Sequence, residues 1–364
     1  MTRSNPPAPR VASALGRTAD VRSATAAPPP AATPPIDLLL SYAFHAGLDH
    51  RSIHQRLPAG SLIWIDSGAF TAYTTGKKIT REEYADHLRA QRGGYDYAFS
   101  LDVIGDARAS RENTEWLWEQ GLPVVPVFHF GSSLEEWRSL CRDYGYVAAG
   151  GLVPLAKDRT RITAYLRHLT READKYDTAV HALGIAGRKT VITTRVWSAD
   201  SSTVSSAPLY GNVPVYDHRR KRMVMLQAKD REGLWRYRQD LLRYGFPLDV
   251  IMREGKWTKQ ERPAMFRTSL LGVAQMWADV RQAHPLPAPK RLWAPEGRAT
   301  PPGGPRASYA VFSGATEAIG STLDYLEGPR GAHAAGPADS TDRLDAVLSG
   351  PRTASAITTK EGLP

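Results

Sequence analysis

Between residues 36 and 284, short apolar runs alternate with stretches of helical periodicity. Ile36–Tyr42, Leu62–Ile65, Tyr97–Leu101, Val124–Phe128, Tyr146–Ala149, Ala179–Leu183 and Val191–Trp197 read as strands, with a candidate eighth near Leu248–Met252. Thr80-Arg-Glu-Glu83 and Ser133-Leu-Glu-Glu136 carry the spacing of a capping box and open two helices, the second stopping near Gly145. Asn113–Gln120 and Ile162–Lys175 read as two more. Strands alternating with helices predict parallel βαβ units, and this number of strands suits a (β/α)8 TIM barrel. A doubly wound open sheet is the alternative.

Polar residues fall at one recurring place in this pattern. Asp66 follows Leu62–Ile65, Asp102 follows Ala98–Leu101, and His129 follows Val124–Phe128. Gly150-Gly151 follows Tyr146–Ala149, and Asp200 falls just past Trp197. An acid after a strand commonly caps the next helix. Several such residues on different strands describe a shared site at the C-terminal face of a barrel.

Composition limits the folded unit. Residues 1–35, rich in Pro, Ala, Ser and Thr, and 285–364, rich in Pro, Gly, Ala, Ser and Thr, lack apolar periodicity and are expected to be disordered tails. Within the second, Tyr309–Phe312 and Thr322–Leu326 are short segments able to dock. That leaves one TIM-barrel domain at 36–284. The net charge of +10 resides mainly there, which favours a polyanionic partner such as nucleic acid. The single cysteine, Cys141, excludes an internal disulfide and a multi-cysteine zinc site. No apolar run is long enough to span a membrane and no secretory signal is evident, so a cytoplasmic location is expected.

Three carboxylates at a barrel mouth suit either of two chemistries. As metal ligands they would ordinarily be joined by histidines, but the ten His show no H-x-H or H-E-x-x-H spacing. His45, His50 and His54 cluster without a nearby Glu. Glycosyl transfer needs only two of the acids, one as nucleophile and one as acid/base. This reading, without metal or cofactor, is preferred over a barrel metallohydrolase.

Six segments occur in order: Asp66-Ser-Gly-Ala-Phe70, Ser100-Leu-Asp-Val-Ile104, Pro126-Val-Phe-His129, Gly150-Gly-Leu152, His181-Ala-Leu-Gly-Ile185 and Ser198-Ala-Asp-Ser-Ser202. Together they resemble the tRNA-guanine transglycosylase superfamily over roughly residues 36–270, most closely its phage branch that inserts 7-deazaguanines into DNA. The resemblance implies Asp200 as nucleophile and Asp66 as acid/base. It implies a base site of Asp102, Gly150, Gly151, Leu152, His129, Ser67, Gly68 and Phe70. Asp102 would read the guanine edge, and His129 stands where the family has a polar residue, usually Gln. The family's Pro-Thr-Arg after the nucleophile is replaced by Ser201-Ser-Thr-Val204, its Phe-Gln by Phe70-Thr71, and its zinc subdomain cannot be built. These departures favour DNA over tRNA as the polymer, with a free 7-deazaguanine base as co-substrate.

Val213–Asp217, His218-Arg-Arg-Lys-Arg222 and Met223–Leu226 read as a hairpin with a basic tip. Arg219, Arg220, Lys221 and Arg222, with Arg253 and Lys256, are the candidate phosphate contacts; a solvated turn is the alternative for the tip. Asp230–Tyr244 reads as a basic helix whose Trp235 and Tyr237 pack. The expectation is therefore a DNA-guanine transglycosylase. A tRNA enzyme and a non-catalytic nucleic-acid-binding barrel are the alternatives.

Overall fold

Eight parallel strands form one curled sheet in a computed structural model that describes residues 33–152, 155, 158–253, 257–311 and 316–328. In chain order the strands are β1 Leu38–Ser41, β2 Ile63–Asp66, β3 Tyr97–Ala98, β4 Val127–His129, β5 Tyr146–Gly150, β6 Ala179–Ala182 and β7 Ser198–Ser201. The antiparallel hairpin β8 Asn212–Asp217 and β9 Arg222–Gln227 follows, and then β10 Arg306–Val311. The sheet order is β3-β2-β1-β10-β7-β6-β5-β4. Its end strands approach one another at a parallel bridge between Phe99 and Val125, where Val125 N–H donates to Ala98 O at 2.8 Å and Ser100 N–H to Val125 O at 2.9 Å. This α/β arrangement is compatible with a (β/α)8 barrel.

Alternation along each strand divides the core in two. Leu38, Leu40, Ile63, Ile65, Val147 and Val180 face the surrounding helices in one large apolar cluster. Leu39, Trp64, Tyr97, Phe99, Val127 and Tyr146 fill the concave side. Helices 81–90, 107–119, 134–143 and 159–174 overlap the expected ones, the second beginning well before Asn113, and are capped by Thr80, Asp106, Ser133 and Asp158.

Three sequence expectations are corrected. Val191–Trp197 is not the seventh strand: residues 188–194 are helical, Arg195 ends the helix in the left-handed region at φ 58°, and β7 begins at Ser198. The β-branched run at 191–194 carries strand propensity, but propensity yields to packing. Leu248–Met252 is a short helix outside the sheet. The eighth sheet strand is β10, inserted between β1 and β7.

That last placement moves the domain boundary. Residues 285–311 are structured, not a tail. Trp293 packs edge-on to Tyr97 with ring centroids 5.6 Å apart and lies 5.8 Å from Tyr146, while Tyr97 O–H donates to its carbonyl at 3.2 Å. Helix Thr316–Glu327 packs against the long helix Arg262–Ala283. Proline-rich composition thus marks an irregular segment held by aromatic contacts. The N-terminal tail up to residue 32 and the chain from 329 lie outside the described residues.

The chain between β7 and β10 forms an insertion. Val213, Val215, Leu226, Leu234, Leu241 and Phe246 give it a small apolar cluster, completed by Met265 of the long helix. The basic helix expected at 230–244 is two short helices, Arg231–Arg236 and Arg238–Arg243. Tyr237 packs inside, but Trp235 is half exposed with the Arg238 guanidinium 4.3 Å over its ring.

A buried ion pair secures β10. Arg306 Nη2 donates to Asp37 Oδ1 at 2.5 Å and Nε to Oδ2 at 3.0 Å, while Asp37 Oδ1 also accepts from Leu62 N–H at 3.0 Å. Removing one member leaves a charge stranded in the interior. Arg306→Met is expected to lower the unfolding free energy by about 3 kcal/mol or more, read by chemical denaturation.

Candidate active site

The C-terminal ends of the sheet strands bring the predicted acids together. Asp66 is the last residue of β2, in register with Ser41 of β1; His129 ends β4 opposite Gly150 of β5. Asp200 lies within β7 opposite Ser308 of β10, so the ladder on that side fixes its backbone. Asp102 follows β3 and lies close enough to His129 for His129 Nε2 and Asp102 Oδ2 to sit 2.8 Å apart, though off the line of a well-directed hydrogen bond.

Electrostatics distinguishes Asp66. Burial pushes its carboxyl up to about 6, and the negative charges of Asp102 and Asp200 push in the same direction. The Ser41 hydroxyl and Gly68 N–H, the latter donating to Oδ2 at 3.1 Å, only partly offset this. Gly68 makes that bond from the left-handed region at φ 79°, and a Cβ there would meet Ala43 Cβ at 2.6 Å. Gly151 is similarly constrained at φ 67°, with Phe130 N 3.1 Å from the Cβ position and His129 Nδ1 at 3.4 Å.

Asp200 is held from behind. Its Oδ1 accepts from Gly184 N–H at 2.7 Å and meets His181 Nε2 at 3.2 Å, so Oδ2 is left without a protein hydrogen bond among the described residues. Behind His181 runs a buried chain: Nδ1 to Ser198 Oγ at 2.8 Å, Ser198 Oγ to Tyr146 Oη at 2.5 Å, and Trp64 Nε1 to Tyr146 Oη at 3.1 Å. An indole N–H can only donate and a carboxylate can only accept. The carboxylate end places the proton of a neutral His181 on Nε2, which leaves Nδ1 to accept from a hydroxyl. Trp64 donates to Tyr146 and His181 Nε2–H to Asp200, while Nδ1 accepts from Ser198 Oγ at 2.8 Å or from Tyr146 Oη, which lies 3.3 Å away. Burial, partly opposed by Asp200, lowers the His181 pKa and favours the neutral ring this requires. Ser198, His181 and Asp200 superficially resemble a serine-hydrolase triad, but Ser198 is 0% exposed and has no access to substrate.

Other expected residues divide. Phe70 is 63% exposed four residues past Asp66. Ser67 is buried with its Oγ near Ala69 N–H at 3.4 Å, and Leu152 packs in the apolar layer on the helix side of the sheet. Neither offers its side chain to an open mouth. His54 pairs with Asp96 at 3.0 Å, and His50 stacks edge-on to His87 with centroids 5.3 Å apart. Burial drops both His50 and His87 to about 4. Among the described residues there is no group of three side chains able to hold a metal.

The candidate phosphate contacts are largely engaged already. Arg220 pairs with Asp217 at 3.2 Å, Lys221 with Asp279 at 2.6 Å, and Arg253 with Glu261. Arg219 and Arg222 are exposed without an ion pair among the described residues, and Lys256 lies outside them. Sequence reading missed Tyr146 as a site residue and had His181 and Ser198 only as parts of motifs. The His-x-x-Gly spacing of His181 and Gly184 was the one available signal, and both contact Asp200.

Comparison with protein-family profiles, curated proteins and solved structures finds no match to this chain. No helix among the described residues is long and apolar enough to cross a membrane.

The raised Asp66 pKa makes its charge a liability for the fold. An acid with a folded pKa of about 6 destabilises the native state above that pH, and this cost fades as pH falls through 6 toward its ordinary value. Asp66→Asn is expected to stabilise the protein by about 1–3 kcal/mol at pH 7, discounted because the carboxyl is partly open to solvent, and so to raise Tm by several degrees. Calorimetry at pH 7 and pH 4 checks this, the difference closing at the lower pH.

Proposed function

We propose that this chain is a DNA-guanine transglycosylase built on a (β/α)8 barrel, exchanging guanine in DNA for a 7-deazaguanine base. The observation that carries the reading is the meeting of three carboxylates in distinct settings. One is pushed up to about 6, one is held at a single oxygen, and one lies against a histidine. Acids kept apart in this way suit division of labour between proton transfer and nucleophilic attack.

Asp200 Oδ2 attacks the sugar C1′ as the C1′–N9 bond breaks, and Asp66 gives its proton to the departing guanine. The resulting ester joins Asp200 to the deoxyribose. An incoming 7-deazaguanine surrenders its N9 proton to the Asp66 carboxylate and displaces Asp200 from C1′. Two displacements retain the anomeric configuration. Asp102 accepts hydrogen bonds from the guanine N1–H and N2 amino group, with His129 bracing it. Gly150 and Gly151 are required by close packing against Val127, Leu183 and Phe130, and exposed Phe70 offers a face at the mouth. A duplex substrate must flip its guanine into the site.

Incubation with labelled guanine-containing DNA and free 7-deazaguanines is the primary test, with tRNA as a parallel substrate. No exchange into either polymer sinks the proposal, and exchange into tRNA alone transfers the chemistry to that polymer. Asp200→Asn is expected to abolish exchange and any denaturation-resistant protein–DNA adduct while retaining binding; unaltered turnover removes Asp200 as nucleophile. Because guanine departure needs protonated Asp66, its single-turnover rate is expected to fall as pH rises through about 6.

A further inference from the structure

A groove of about 860 Å³ lies on the outer wall between helices 159–174 and 188–194, with Met223 of β9 on its border. Four cations line it, Arg159, Arg167, Arg188 and Lys189, and no acidic residue does. None of the four forms an ion pair among the described residues, although surface arginines elsewhere commonly do: Arg111 meets Glu136 and Asp143, Arg138 meets Glu172, and Arg142 meets Glu135. Concentrated like charge without counter-charge raises the local potential and attracts a polyanion.

The groove also adjoins the chemistry. Gly184, whose N–H holds Asp200, is three residues from Gly187 on the groove wall, a separation of at most about 11 Å along the chain. The groove wall therefore begins only a few residues along the chain from the backbone group that holds Asp200. On the far side, Met223 adjoins Arg222, one of two hairpin-tip cations without an ion pair.

We propose that this groove takes the phosphodiester backbone of the nucleic-acid substrate next to the exchanged nucleotide, with Arg159, Arg167, Arg188 and Lys189 as its contacts. The inference rests on the proposed function for its choice of DNA. It replaces the paired cations Arg220, Lys221 and Arg253 as the principal phosphate contacts. Each released counterion contributes about 0.9 to the slope of log affinity against log salt for duplex DNA, and about 0.7 for a single strand.

The test is the salt dependence of binding by the full chain, read by anisotropy with labelled duplex DNA, single-stranded DNA and tRNA. The variant Arg159→Gln, Arg167→Gln, Arg188→Gln, Lys189→Gln is compared with Arg108→Gln, Arg142→Gln, and a melting curve checks that each is folded. The groove variant is expected to flatten the slope for DNA by about three to four, and the control to leave it unchanged. If the quadruple variant does not fold, each single substitution is expected to lower the slope by about one. An unchanged slope in a folded groove variant, an equal loss in the control, or no binding of DNA by the wild type overturns the assignment. Loss confined to tRNA overturns DNA as the occupant. Binding is measured without turnover, so a flattened slope in a protein that exchanges no base upholds the groove while rejecting the transglycosylase reading. Exchange by wild type with an undiminished slope in the variant does the reverse.

Discussion

The arrangement depends on a buried hydrogen-bond network that ends on one oxygen of Asp200. It begins at an indole N–H that cannot accept and ends at a carboxylate that cannot donate, and between them two hydroxyls share the Nδ1 side of one imidazole. The result is a single tautomer of His181 and a single anchored oxygen of Asp200. Trp64, Tyr146, His181 and Ser198 come from four different strands, so their relative placement is a property of the sheet itself. A reactive group mounted on strands is held more firmly than one on a loop.

The opposite requirement applies at Asp66. Here burial, reinforced by like charges gathered at the strand ends, leaves one acid reluctant to ionise. That is an energetic cost borne locally and offset by the apolar layer between sheet and helices and by the aromatic packing of the concave side, where Trp64, Tyr97, Tyr146, Trp197 and Trp293 contact one another. The fold tolerates a strained mouth because its other end is filled with rings.

The strands β1 to β6 were legible because strands buried on both faces read as nearly continuous apolar runs. The two that were misplaced or missed, Ser198-Ala-Asp-Ser201 and Arg306-Ala-Ser-Tyr-Ala-Val311, break that rule. They pair with one another and bring Asp200, Ser198, Arg306 and Ser308 into the interior, where each residue has at least one hydrogen-bond partner. Hydrophobic patterning therefore failed where the candidate nucleophile and its support reside, as expected when function displaces a core preference. Asp66, Asp102, His129 and the glycine pair were visible because they stand at or just past the C-terminal ends of ordinary strands. The groove cations were not, since a helix rich in arginine looks like any solvated helix until its acids are seen to be elsewhere.

The insertion between β7 and β10 bears on how the chain is made. β10 pairs with β1 and β7, but roughly a hundred residues separate it from β7 and far more from β1. At about 5–20 residues per second of synthesis, the edges of β1 and β7 stand open for some 5–20 s after β7 has emerged. Unpaired edges of this kind invite association with other chains. In a cell the nascent seven-strand stage is thus the vulnerable one, and the polar interior faces of Ser198 and Asp200 make that waiting edge less adhesive than an apolar strand would be.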